Sequence, residues 1–154
     1  MLDTLIARIS QLSVKMRLYK SYLQPKNEPN QLSDRQVLIL ELLKDQGSMS
    51  LVALCSVLKC YGQSTISADI KTLRADRGFV QIIVKDDARI HLFTLTATGH
   101  EKVDNFRCQR AKLYAPVAKV LPTKPEERKI IQDTVDAAIE NLDEELGRLD
   151  VGSG

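Results

Sequence analysis

The segment IIVKDDARIHLFTLT, residues 82–96, restricts the fold more than any other stretch of this chain. Two apolar, β-branched runs flank a charged tip, Lys85-Asp86-Asp87-Ala88-Arg89. Runs of this kind on either side of a polar turn predict a β-hairpin. A two-stranded hairpin is at best marginally stable in water, so it must pack against something. The rest of the chain reads as helix. The expectation is therefore a mainly α chain with a small β-hairpin (α+β), the hairpin resting on neighbouring helices.

Helical periodicity organises both ends. Leu5, Ile9, Leu12, Met16, Tyr19 and Leu23 recur at alternating spacings of four and three, a heptad-like stripe closed by Pro25 and Pro29. Ser33 with Gln36 forms a capping-box signature ahead of a helix carrying Val37, Leu38, Leu40, Leu42 and Leu43. Ser48 or Ser50 opens a short helix whose Leu51, Leu54 and Leu58 share a face. After Cys60-Tyr61-Gly62, a tight turn, QSTISADIKTLRADRG reads as one helix with Ile66, Ile70 and Leu73 inward and a glycine past its end. Beyond the hairpin, Thr96 caps a helix that Pro116 should kink and Pro122 should end. Thr123 to Glu126 is a second capping box, opening a helix with Ile131, Val135, Ala138, Leu142 and Leu149 on its stripe. The expected organisation is a helix and linker over 1–31, a central unit over 32–98, further long helices over 99–150 and a frayed tail over 151–154.

Two short helices joined by a tight turn and followed by a hairpin have the layout of a winged helix-turn-helix. In that layout the second helix enters the DNA major groove and the hairpin, the wing, reaches the adjoining minor groove. Gln63, Ser64, Thr65 and Ser67 supply small polar groups in the first turn of the second helix. Lys71 and Arg74 follow on the same helix, and Lys85 and Arg89 stand at the wing tip. Asp87 is placed to orient Arg89 through a charge-assisted hydrogen bond. Charge distribution agrees with a nucleic-acid partner. Residues 48–121 hold eleven Lys and Arg against six Asp and Glu, whereas residues 122–154 hold four against nine.

Other classes find less support. No Ser/His/Asp set, paired carboxylates or glycine-rich phosphate loop stands out, which argues against an enzyme and implies no cofactor. His91 and His100 lack partners at metal-ligand spacing. No window is apolar enough to span a bilayer and no secretory signal pattern opens the chain, so a cytoplasmic protein without a membrane partner is expected. Cys55 sits among aliphatics and reads as inert. Cys60 and Cys108 are the candidate redox positions.

From about Leu32 to Val103 the chain resembles the MarR family of transcription regulators. The resemblance is carried by Asp87-Ala88-Arg89 followed by Ile90-His91-Leu92-Phe93-Thr94-Leu95-Thr96-Ala97-Thr98-Gly99, which is similar to the family's Asp-x-Arg wing and Leu-Thr-x-x-Gly strand end. Gln63-Ser64-Thr65-Ile66-Ser67, Leu73 and Gly78-Phe79-Val80 are similar to the recognition helix and the start of the wing. The resemblance implies a homodimer with interleaved terminal helices that binds double-stranded DNA at a near-palindromic operator. It also implies release by a small, often phenolic, ligand or by thiol oxidation. Tyr19, Tyr22 and Tyr114 are candidates for such a pocket or for dimer core, with core favoured.

Three positions depart from the family pattern. Ala68 and Ile82 stand where basic residues are frequent, and Asp69 places an acid in the recognition helix, where an acid near phosphate costs affinity. The leading expectation is a homodimeric MarR-like repressor. The alternatives are a winged-helix module that binds protein after losing DNA affinity, and a thiol-switched regulator.

Overall fold

The computed structural model describes residues 1–24, 31–85 and 89–152. Most of the local signals are realised as elements: α1 (Leu2–Leu23), α2 (Asp34–Gln46), β1 (Ser48–Met49), α3 (Leu51–Val57), α4 (Gln63–Lys71), β2 (Val80–Val84), β3 (His91–Leu95), α5 (Ala97–Ala118) and α6 (Pro125–Gly152). Two compact units result. One comprises Met1–Gln31 and Phe106–Val120, the other Leu32–Asn105 and Leu121–Gly154. Residues 99–150 are thus shared between the units.

In the second unit, α2 starts with the complete capping box. The Ser33 hydroxyl accepts from the Gln36 N–H at 3.2 Å and the Gln36 side chain accepts from the Ser33 N–H at 3.1 Å. Ile39, Leu40 and Leu43, at helical spacing, are fully buried, as are Leu54 of α3, Ile66 of α4 and Val103 of α5. Gly47, at φ 83°, ends α2 and turns the chain into β1. Ser50, not Ser48, caps α3, accepting from the Ala53 N–H at 3.1 Å.

The expected hairpin is part of a three-stranded antiparallel sheet, ordered β1-β3-β2. Ser48 pairs with Thr94 and Met49 with Phe93, and the Thr94 hydroxyl donates to the Gly47 carbonyl at 2.7 Å. A two-residue strand carries no periodicity, so nothing local announces β1. Its pairing explains how the wing is supported: β3 is held on both edges.

The helix expected from Gln63 onward changes character after Lys71. Thr72–Asp76 forms a wider π-type turn, in which the Arg77 N–H bonds the Thr72 carbonyl at 3.2 Å and the Phe79 N–H reaches the Leu73 carbonyl at 2.9 Å. Gly78, at φ 66°, reverses the chain into β2.

Pro116 lies inside α5, which stops at Ala118 instead of continuing to Pro122. Pro125 takes the first position of α6, so Lys124 rather than Thr123 is the cap residue, its carbonyl accepting from the Arg128 N–H at 3.1 Å. The helix also runs through Val151 to Gly152, into the stretch expected to fray.

Much apolar surface stays uncovered. No residue of α1 is buried; Leu5, Ile9 and Leu12 of its stripe are 56%, 58% and 49% exposed. On α6, Val135, Ile139 and Leu142 are 51%, 52% and 62% exposed. Among the described residues, no helix is long and apolar enough to cross a membrane.

Candidate nucleic-acid interface

The α3–α4 turn is closed by backbone bonds from the Leu58 N–H to the Leu54 carbonyl, 2.9 Å, and from the Tyr61 N–H to the Leu58 carbonyl, 3.1 Å. Gly62 then caps α4 without a side-chain acceptor. Burial divides α4 and the turn that continues it by face. Ile66, Asp69, Ile70 and Leu73 are buried, while Gln63, Ser64, Ser67, Ala68, Lys71 and Arg74 are exposed. Thr65 stands half-buried at the border between the faces. The positions expected to meet DNA are therefore gathered into one exposed row, with Thr65 at its edge and Ala68 inside it.

At the wing, Lys85 and Arg89 are exposed, and Asp87 lies outside the described residues. Ile82 is half-buried opposite Phe93, whereas Ile83 and Val84 are 45% and 57% exposed. The base of the wing is clipped to α5 by Thr96. Its N–H donates to the Phe79 carbonyl at 3.0 Å, its hydroxyl donates to the Gly78 carbonyl at 2.6 Å and accepts from the Gly99 N–H at 3.1 Å. Gly99 permits this approach: a Cβ there would overlap the Phe79 carbonyl oxygen. The Leu-Thr-x-x-Gly stretch thus has a steric and hydrogen-bonding reason, tying wing and helix together.

Asp69 corrects an expectation. Read in sequence as an acid facing phosphate, it is only 7% exposed and turned toward α2. The Arg35 guanidinium pairs with its Oδ2, and the Gln36 side-chain amide donates to its Oδ1 at 3.3 Å. The hydrogen bond to Asp69 holds the Arg35 pKa above its ordinary value, burial acting against it. Arg35 also lies over the Tyr61 ring, 5.4 Å from its centre. The signal was available, because 66, 69, 70 and 73 are the inward positions of one helical stripe.

Cys60 and Cys55 are half-buried and Cys108 is exposed. Burial, and then the Asp143 carboxylate on α6, push the Cys60 thiol up. An activated thiol needs the opposite shift. Tyr19, Tyr22 and Tyr114 are 39%, 77% and 49% exposed. Among the described residues, no group of three or more His, Cys, Asp or Glu could hold a metal ion.

A helix-turn-helix followed by an antiparallel hairpin, with β2 packed against the turn that continues α4, has the layout of the winged helix-turn-helix class of fold. No family model and no curated protein matches this chain. Solved structures do match, and they are MarR-family regulators. BpsR of Bordetella bronchiseptica, whose DNA binding is regulated by 6-hydroxynicotinic acid, is 23% identical with a TM-score of 0.59, over 90% of this chain and 92% of that one. AdcR, the adhesin competence repressor of Streptococcus pyogenes, is 19% identical with a TM-score of 0.63, over 93% and 98%. A cysteine-to-serine mutant of MarR from E. coli is 19% identical with a TM-score of 0.55, over 90% and 96%. The chain has the MarR-type winged-helix fold.

Proposed function

We propose that the protein is a homodimeric, sequence-specific DNA-binding transcription regulator of the MarR type, acting in the cytoplasm as a repressor. The observation that carries this reading is the division of α4 and its continuing turn into a buried face and an exposed row of Gln63, Ser64, Ser67, Lys71 and Arg74. Small polar side chains near the start of a helix can approach base edges, and the basic residues can neutralise phosphates. The first turn of α4, without a side-chain cap, leaves N–H groups for a phosphate oxygen. Arg89, with Lys85 beside it, would enter the minor groove, and Asp87 would orient the guanidinium. The uncovered stripes of α1 and α6 would be buried by a second copy. Two copies related by a twofold axis would address half-sites about one helical turn apart. BpsR's regulation by a small aromatic acid supports a ligand of that class as the signal for release.

The inward pairing of Asp69 weighs against a protein-interaction module, since it removes an acid from the exposed face. The raised pKa of the Cys60 thiol weighs against a thiol switch at that position.

Fluorescence anisotropy with duplexes selected from genomic fragments tests the proposal. Affinity should fall steeply and log-linearly with salt, because phosphate contacts release counterions. Arg89→Ala should weaken binding more than tenfold at an unchanged melting temperature. Salt-independent or absent binding would favour the interaction module instead, and unaltered affinity of Arg89→Ala would remove the wing from the mechanism.

A further inference from the structure

The contacts around Asp69 join three parts of the DNA-binding unit. Arg35 and Gln36 belong to the first turn of α2, Tyr61 to the turn before α4, and Asp69 to α4 itself. The base of this clamp is rigid, because Gln36 is also half of the α2 capping box.

Burial of Ile66, Ile70 and Leu73 sets which face of α4 points inward, but fixes its rotation only coarsely. The helix has nine residues, starts without a side-chain cap and passes directly into a π-type turn. Ile66 and Ile70 bury it, but apolar burial is non-directional. A charge-assisted hydrogen bond has a direction as well as a strength. The lever is short: side-chain tips lie roughly 5–6 Å from the helix axis, so turning α4 by about 30° carries them about 3 Å. That distance is comparable to a whole hydrogen bond.

We infer that Asp69, gripped by Arg35 and Gln36, is a positioning residue that fixes the rotation of α4 and thereby selects which base edges Ser64, Ser67 and Lys71 face. The inference rests on the regulator reading above. It assigns Asp69 no contact with DNA. Arg35 is likewise an anchor and not a phosphate ligand.

Asp69→Asn and Arg35→Gln change net charge in opposite directions, which separates positioning from simple electrostatics. The probes are a duplex selected with the wild-type protein and sonicated bulk DNA, measured at several salt concentrations, with melting temperature recorded in parallel. Both variants should lose tenfold or more in affinity for the selected duplex. Both should bind bulk DNA within about threefold of wild type with the same salt slope, since that term counts phosphate contacts. The double variant should lose no more than the worse single variant, because all three break one clamp. Tighter binding by Asp69→Asn with weaker binding by Arg35→Gln would overturn the inference in favour of long-range charge. Equal losses on both probes, tracking the melting temperature, would reduce the clamp to fold stability and also overturn it. Should Asp69→Asn fail to fold, Arg35→Gln decides alone, since the Arg35 side chain is 32% exposed and can lose its charge at the surface. Absence of wild-type binding to either probe would instead sink the regulator reading itself.

Discussion

Cys60 illustrates how position and environment separate at the scale of single residues. Its place in the turn before α4 suits a switch, yet its thiol is half-buried and stands near the Asp143 carboxylate. Both influences penalise the thiolate, so the folded pKa lies above that of the unfolded chain. The stability this contributes is fully present below the unfolded pKa and is lost as pH rises through the folded value. Alkylation follows the thiolate fraction. At a mildly alkaline pH of about 8, iodoacetamide should therefore modify Cys60 several-fold more slowly in the native protein than in urea, as mass spectrometry of the Cys60 peptide would register. Equal or faster native labelling would show that the thiol is activated after all. Asp69 makes the complementary point: an acid at an inward position of a helical stripe is an anchor when arginine meets it there.

Among the elements, the joint between wing and α5 is the most constrained. Thr96 bonds Gly78, Phe79 and Gly99 with one side chain and one N–H, and the backbone of Gly99 comes against that of Phe79. Backbone cannot swing aside as a flexible side chain would. Gly99→Ala should therefore cost about 2 kcal/mol through overpacking, despite alanine's better helix propensity. Urea denaturation should show a lower midpoint at an unchanged slope, and a midpoint equal to or above wild type would mean that the joint yields. Much of this level is legible beforehand. The Ser33 and Ser50 caps, the α1 and α6 stripes and the two wing strands all follow from residues within a turn or two of one another. The β1 strand, the π-type turn after Lys71 and the cap shift to Lys124 are not, since each depends on a partner or a geometry outside the local pattern.

For the whole molecule, the stripes of α1 and α6 are what a single chain leaves unburied. Soluble monomers rarely leave whole apolar helix stripes in water. Leu142 is 62% exposed, so a charge there should not disturb the fold of one chain. In the twofold dimer proposed above, with the α6 stripe in its interface, the change is made twice, and losing the burial of a leucine costs about 2 kcal/mol each time. Leu142→Lys should thus raise the dimer dissociation constant by on the order of a thousandfold. Sedimentation equilibrium would then find monomers of retained helicity, and an undisturbed dimer would place the interface elsewhere.

The order of residues alone specifies the class of fold: helical periodicity, caps and a β-branched hairpin are short-range properties, written within a few residues of each other. The exposed row on α4 is also foreseeable, because it is the complement of Ile66, Ile70 and Leu73. Tertiary structure alone decided which partners Asp69 meets, what steadies β3 and why residue 99 must lack a side chain. Those outcomes depend on Arg35, Ser48 and Phe79, residues far from their partners along the chain, and only packing brings such groups within bonding distance.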